Sequence, residues 1–203
     1  MFHVKHEAWA DDARAAGLSL TNAQLEALSR YHDHVLALAV PRGYIATSDA
    51  NRLWRRHILD ALRAAPEVPT EASLADLGSG AGIPGLPLAI VTPNQVTLVE
   101  VRRGRAAFLE SAIDVVGLSN VRVALGPVEG LSERYDVCLA RAFAPVGKTW
   151  RLAEPRLEPR GSLIYWAGAS FDTGELDPLG VTWRVSEHAD LADSGPLVIM
   201  TRQ

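Results

Sequence analysis

The chain carries one cysteine, Cys138, among 203 residues, which excludes an intramolecular disulfide. No apolar run approaches the roughly 20 residues that a membrane-spanning helix requires. The start, Met1-Phe2-His3-Val4-Lys5-His6-Glu7, has no apolar signal core. A reducing, cytoplasmic setting with no membrane contact is therefore expected. The pairs His3/His6 and His32/His34 lack cysteines or carboxylates at metal-site spacing, so no metal is expected. An excess of positive charge is also missing. With 20 Lys and Arg against 24 Asp and Glu, the net charge of -4 argues against a globally basic nucleic-acid surface while leaving room for a local patch. There is no internal repeat or low-complexity tract. What is present, 48% hydrophobic and 22% charged residues, suits one buried core with an appendage.

The first third reads as helical. Thr21-Asn22-Ala23-Gln24 has the form of a capping box, and Leu25, Leu28, His32, Val35, Leu36 and Ala39 recur at helical spacing until Pro41 and Gly43. A shorter helix is predicted over about residues 6 to 16, ending at Gly17. Another, capped by Ser48 or Asp49, would bury Leu53, Trp54, Ile58, Ala61 and Leu62. Past Pro66 and Pro69 the pattern changes to strands alternating with helical segments, the mark of a parallel sheet covered on both faces. The predicted parallel strands are Leu74 to Leu77, Gln95 to Val101, Val121 to Leu125, Tyr135 to Ala140 and Gly161 to Trp166. Val181 to Ser186 and Leu197 to Thr201 have no helical pattern between them and should pair antiparallel. Residues 1–70 are thus expected to form an N-terminal helical extension and residues 71–203 the main domain.

The most informative stretch is Asp76-Leu77-Gly78-Ser79-Gly80-Ala81-Gly82-Ile83-Pro84-Gly85. Its glycines let the backbone turn sharply and approach a ligand where a Cβ would clash. Glu100 ends the next strand 22 positions after Gly78, where a carboxylate can accept hydrogen bonds from ribose hydroxyls. Gly80-Ala81-Gly82-Ile83-Pro84-Gly85 formally satisfies the dinucleotide pattern, but the strand runs into Gly78, two positions early for that register. The register Asp76-x-Gly78-x-Gly80-x-Gly82 is the one that S-adenosylmethionine-dependent methyltransferases show. Pro84 also removes a backbone donor that a pyrophosphate would use.

Several segments together resemble the bacterial small-subunit ribosomal RNA methyltransferase G family, which methylates N7 of a guanine in 16S rRNA. They are Arg56-His57-Ile58-Leu59-Asp60, the Asp76 to Gly85 loop, Leu98-Val99-Glu100 and Arg102-Arg103-Gly104-Arg105-Ala106-Ala107-Phe108-Leu109. Gly126-Pro127-Val128-Glu129 and Arg141-Ala142-Phe143-Ala144 continue the likeness, followed by Trp150, Pro155 and Gly161. The resemblance implies a Rossmann-like α/β fold of the class I S-adenosylmethionine-dependent methyltransferases, with a mainly parallel sheet, a C-terminal antiparallel hairpin and the N-terminal helical extension. It implies S-adenosyl-L-methionine as cofactor, held at Gly78, Gly80, Ile83, Glu100, Val128, Glu129 and Arg141. The implied partner is 16S rRNA or the small ribosomal subunit, and no protein partner is inferred. Two features depart from the family pattern. Its Lys-Gly after the fifth strand is Ala167-Gly168 here, and Leu38 to Ala46 replace its Trp-Asn-x-x-x-Asn-Leu-Thr type segment.

The chain lacks the Asn-Pro-Pro-Tyr motif of amino-group methylation and the Pro-Cys nucleophile of cytosine-carbon methylation. Guanine N7 offers a lone pair and no proton to remove, so no catalytic acid or base is assigned. Phe143 is a candidate stacking surface for a splayed base. Arg102, Arg103 and Arg105 are candidates for RNA phosphates, with Arg52, Arg55 and Arg56 on the extension able to lengthen that surface. Cys138, within Val137-Cys138-Leu139-Ala140, reads as a buried hydrophobe. His57 and Asp60, three apart, read as a hydrogen-bonded pair at a helix junction. Trp54, Trp150, Trp166 and Trp183 read as packing residues. The alternatives still open are a methyltransferase for a small molecule or protein, a dinucleotide-dependent oxidoreductase, and an RNA-binding module without catalysis.

Overall fold

The computed structural model describes residues 2–186 and 194–202, with side chains from residue 6 onward, so His3 lies outside the described side chains. Residues 187–193, which connect the last two strands, also lie outside them. The extension opens with α1 (Phe2–Ala15) and α2 (Asn22–His34). The predicted capping box is present: Thr21 accepts from the Gln24 amide, and Gln24 Oε1 accepts from the Thr21 amide at 2.9 Å. α2 runs on into a wider π turn, Val35–Ala39, in which the Val40 amide reaches back to the Val35 carbonyl.

The third helical segment differs from the regular helix expected. It is a 3₁₀ turn, Thr47–Arg52, then a π segment, Trp54–Leu59, and a single α turn, α3 (Asp60–Leu62). Neither Ser48 nor Asp49 caps it, because Ala46 occupies the N-cap and the Asp49 carboxylate turns to Arg52, Arg56 and His57. The predicted stripe is nonetheless buried: Leu53, Trp54, Ile58, Ala61 and Leu62 are each at most 7% exposed. π turns bulge a helix locally and recur at functional positions.

Beyond it stand β1 (Ser73–Leu77), α4 (Gly85–Val91), β2 (Gln95–Glu100), α5 (Arg103–Val116) and β3 (Val121–Leu125). β4 (Tyr135–Arg141), α6 (Val146–Ala153), β5 (Leu157–Trp166), β6 (Thr182–Val185) and β7 (Leu197–Thr201) complete the described elements. The strand order is β3-β2-β1-β4-β5-β7-β6, with β1 to β5 parallel and β7 antiparallel to both β5 and β6. The terminal antiparallel pairing is as predicted. A helix between β3 and β4 is not found: a 3₁₀ turn, Val128–Gly130, makes that connection, too short to be a helical crossover.

Two apolar layers cover the sheet. One contains Leu77, Val99, Cys138, Trp150, Leu157 and Met200. The other joins α4, α5 and the sheet to the extension without interruption, placing Leu25, Leu28, Tyr31 and Val35 beside Leu86, Leu98, Phe108 and Leu109. Cys138 is fully buried, and burial pushes its thiol up to about 12, so it behaves as a hydrophobe.

Candidate cofactor and nucleic-acid site

Because β1 to β4 are parallel, their carboxyl ends at Leu77, Glu100, Leu125 and Arg141 share one end of the sheet. The chain runs from β1 outward through β2 and β3, then crosses back to lay β4 on the other side of β1. Open α/β sheets bind ligands in the crevice at such a switch point. The glycine loop emerges there. Gly78, Gly80 and Gly82 have φ of +70°, +59° and +89°, backbone angles that side chains disfavour. The Ser79 amide donates to the Val99 carbonyl at 3.0 Å, folding the loop over β2.

Glu100 is fixed from two directions. Its Oε2 accepts from the Gly80 amide at 3.0 Å and its Oε1 from the Arg102 amide at 2.9 Å. Each carboxylate oxygen keeps a second acceptor position, which is what a ribose hydroxyl would use. Ile83 in the loop after β1 and Val128 on the turn after β3 are buried at the same sheet end, while Glu129 beside Val128 is exposed.

The first turn of α4 decides between the two cofactor classes. The Gly85 amide donates to Asp76 Oδ2 at 3.1 Å, the Leu86 amide to Gly82 at 2.7 Å and the Leu88 amide to Pro84 at 3.3 Å, and Pro87 has no N–H. A pyrophosphate arriving at this helix start would find every donor occupied. The open loop ahead of it, where a Cβ on Gly80 would meet nothing closer than 3.8 Å, suits a cofactor lying across the loop. The donor set fits S-adenosylmethionine and not a dinucleotide.

Gly85 has a second role. A Cβ there would press into Leu98 Cδ2 and come within 2.8 Å of Asp76 Oδ2. Gly85→Ala is therefore expected to cost about 1–3 kcal/mol through overpacking. A thermal midpoint equal to the parent's, measured by calorimetry, would remove that packing from the account. Asp76 itself is 1% exposed, and burial pushes its carboxyl up to about 7, opposed by the Gly85 amide and reinforced by Glu100.

Phe143 lies against the loop, its ring edge 2.5 Å from where a Gly78 Cβ would stand. Ala142 turns the chain there at a φ of +52°. The ring borders the glycine loop and is half-buried.

Arg141 is gripped by the extension. Its Nε donates to Asp60 Oδ2 at 3.2 Å, its Nη1 to His57 Nδ1 at 3.0 Å and its Nη2 to the Arg56 carbonyl at 2.9 Å. Asp60 Oδ1 accepts from Arg63 Nε at 2.9 Å, and the Asp60 carbonyl accepts from Trp166 Nε1 at 3.1 Å. His57 Nε2 meets Asp49 Oδ2 at 3.1 Å. His57 and Asp60 thus both hold Arg141 and do not bond each other as expected. Trp166 has a polar role besides packing. Tyr31, fully buried, adds a further tie by donating to the Ala81 carbonyl at 2.7 Å. Asp49 and Tyr31 escape sequence reasoning because nothing periodic links them to the loop.

The arginines divide into two sets. Arg52 pairs with Asp49 at 2.8 Å, Arg56 with Asp49 at 3.3 Å and Arg55 with Asp12 at 2.6 Å. Those ion pairs direct the extension's cations to carboxylates. Arg102 and Arg103 are exposed where β2 passes into α5. Arg105 leans over the Tyr44 ring, 5.3 Å from its centroid, with its Nη1 3.9 Å from Glu100. Ala167, where the resembled family has Lys, is buried with its amide donating to Pro196, so it adds no reach. Among the described residues no cluster of three metal-ligating side chains occurs and no helix is long and apolar enough to cross a membrane.

The pattern of the rRNA small subunit methyltransferase G family matches residues 24–186. A protein of Nocardioides sp. named ribosomal RNA small subunit methyltransferase G is 39% identical over 150 residues, covering 72% of this chain and 60% of the relative. A Stenotrophomonas maltophilia protein of the same name is 40% identical, with 74% of this chain and 71% of the relative covered. Among solved structures, a putative S-adenosyl-L-methionine-dependent methyltransferase from Methanococcus maripaludis superposes with a TM-score of 0.58 over 76% of this chain and 91% of its own, at 13% identity. That last likeness supports the class I fold. The chain spans about three fifths of the length of the first relatives it matches. On the match across most of its length and the shared identities, the chain belongs to the rRNA small subunit methyltransferase G family.

Proposed function

We propose that this protein transfers a methyl group from S-adenosyl-L-methionine to N7 of a guanine in the 16S rRNA of the small ribosomal subunit. The observation that carries the reading is the glycine loop at the switch point, with Glu100 fixed beside it and no free donors at the helix start behind it. Family membership supplies the RNA substrate class. The bound cofactor would supply an electrophilic methyl carbon on a sulfonium. Gly78 and Gly80 would admit its amino-acid tail, Glu100 would accept from its ribose, and Ile83 with Val128 would flank its base. Arg141, held at the crevice by Asp60 and His57, would complete the pocket.

Held by Gly78, Gly80, Glu100 and Arg141, the cofactor would offer its methyl carbon to the N7 lone pair, the C–S bonding electrons leaving with sulfur as the N–C bond formed. No proton moves, so the protein's work is positioning. His57 and Asp60, the titratable groups against Arg141, are both engaged with its guanidinium, and such an acceptor asks neither of them to take a proton. Phe143 would border the entering base.

Arg102 and Arg103 are the phosphate contacts under this reading. Replacing both with Gln should weaken RNA binding and reduce the slope of log affinity against log salt by about 1–2. An unchanged slope, measured by fluorescence anisotropy, would release them from that role. The reaction itself is tested with labelled S-adenosylmethionine and small subunits lacking the modification, followed by cleavage at N7-methylated guanine. One labelled guanine is expected. Labelled protein or small molecule with unlabelled RNA would overturn the substrate.

A further inference from the structure

The contact between the extension and Arg141 contains one group that can change charge near neutral pH. An arginine can only donate, so the 3.0 Å contact from Arg141 Nη1 requires His57 Nδ1 to be the bare, accepting nitrogen. The proton of the neutral ring must then sit on Nε2, which faces Asp49 Oδ2 at 3.1 Å and donates to it. Asp49 thereby fixes the tautomer that His57 needs in order to receive Arg141. The π turn Trp54–Leu59 presents both ring nitrogens to their partners, since His57 sits within it between Asp49 on the preceding 3₁₀ turn and Arg141 at the end of β4.

We infer that His57 is a positioning residue whose neutral, Nε2-protonated imidazole holds Arg141 in the cofactor crevice, so that acid releases Arg141 and weakens cofactor binding. The inference rests on the reading of Arg141 as a cofactor contact. Protonation at Nδ1 would replace an acceptor with a donor facing a guanidinium, turning attraction into repulsion. The charged groups around the ring are Asp49 on the 3₁₀ turn, Arg141 on β4, and Arg56 and Asp60 on its own segment. Burial and Arg141 pull His57 below its ordinary value, while the bond to Asp49 pulls the other way. The neutral ring is accordingly favoured at neutral pH, and the release falls on the acid side. Asp60 on Nε and the Arg56 carbonyl on Nη2 remain, but they leave Nη1 facing a charged ring without an acceptor, so they do not keep the guanidinium fully oriented.

The test is calorimetric titration of the full chain with S-adenosylhomocysteine between about pH 4.5 and 8, a window that reaches below the lowered His57, on the parent, His57→Ala and His57→Asn. Asn is informative because its Oδ1 can stand where Nδ1 stands and does not titrate. The parent's affinity should fall about tenfold across the acid side of that range, the size expected for losing a hydrogen bond to a charged group. His57→Ala should be about tenfold weaker at pH 8. His57→Asn should recover much of that loss and stay flat with pH. Circular dichroism at each pH keeps unfolding separate from weakened binding, and nitrogen shifts of the imidazole read the tautomer directly in the cofactor-free protein. A flat parent curve, an acid fall in His57→Asn as steep as the parent's, or an Nδ1-protonated neutral ring would each overturn the inference. Failure of the folded parent to bind at pH 8 would instead overturn the cofactor reading beneath it.

Discussion

Removing residues 1–45 is expected to yield a chain with no cooperative thermal transition rather than a smaller working methyltransferase core. Leu28, Tyr31 and Val35 are wholly buried and Leu25 is 3% exposed, all within the apolar cluster that holds Leu86, Leu98 and Leu109. Burying one such side chain contributes about 1.5–3 kcal/mol, so these four alone contribute about 6–12 kcal/mol. A domain's whole stability is about 5–15 kcal/mol. The deletion would also remove two hydrogen bonds between the extension and the main domain: the Ala81 carbonyl would lose Tyr31, and the Val91 carbonyl would lose Gln24 Nε2, which donates to it at 3.1 Å. Calorimetry and dye binding read the result. A truncated chain that melts cooperatively within a few degrees of the parent would show that the extension is an appendage after all.

That coupling was the part of the fold least legible beforehand. Ser73 to Leu77 and Gln95 to Glu100 are short buried strands bounded by turn residues, and such runs declare themselves locally. The Thr21 capping box likewise contains all of its own partners within three positions. By contrast, Arg141 meets Asp60 across 81 positions and His57 across 84, and no periodicity reports a contact of that span. The same limit explains the extension's arginines. Arg52, Arg55 and Arg56 look like a basic face in one dimension, but Asp12 lies 43 positions before Arg55, and Asp49 points inward to Arg56 instead of capping its own helix. The segment between β3 and β4 was expected to be helical because its composition allowed it. Nine residues from Gly126 to Arg134, with Pro127 among them, leave room only for a 3₁₀ turn.

The site was legible to the degree that it rests on backbone. Gly78, Gly80 and Gly82 require their left-handed angles wherever the rest of the chain lies, so sequence and structure agree on the loop. Glu100 is also a local matter, since its partners Gly80 and Arg102 belong to the same β1-loop-β2 unit. Asp76 was visible as the first residue of the glycine pattern, but its electrostatic state depends on burial by Leu98, α4 and the extension. Only the folded chain supplies that.

Asp76→Asn should therefore stabilise the protein at alkaline pH. The folded carboxyl titrates near 7 against 3.8 for the free group, with burial the leading cause. Between those values the folded state binds more protons than the unfolded state, so rising pH favours unfolding through this window. The penalty is absent below about pH 4 and complete above pH 7. Its upper size is about 4 kcal/mol, from about three pH units at 1.36 kcal/mol each. An uncharged amide keeps an oxygen for the Gly85 N–H, which now reaches Asp76 Oδ2 at 3.1 Å, and carries no charge to desolvate. Asp49 and Asp136, both held below the ordinary carboxylate value, and His57, held low by burial, shape the parent's own pH curve in the opposite sense. The difference between variant and parent isolates Asp76 from them. Denaturant unfolding at pH 4.5 and pH 8.5 should give a gain for Asp76→Asn that is about 2–4 kcal/mol larger at the higher pH. An equal difference at both values would mean that the carboxylate is ionised throughout and that Gly85, Ser79 and Arg141 solvate it well enough to offset its burial.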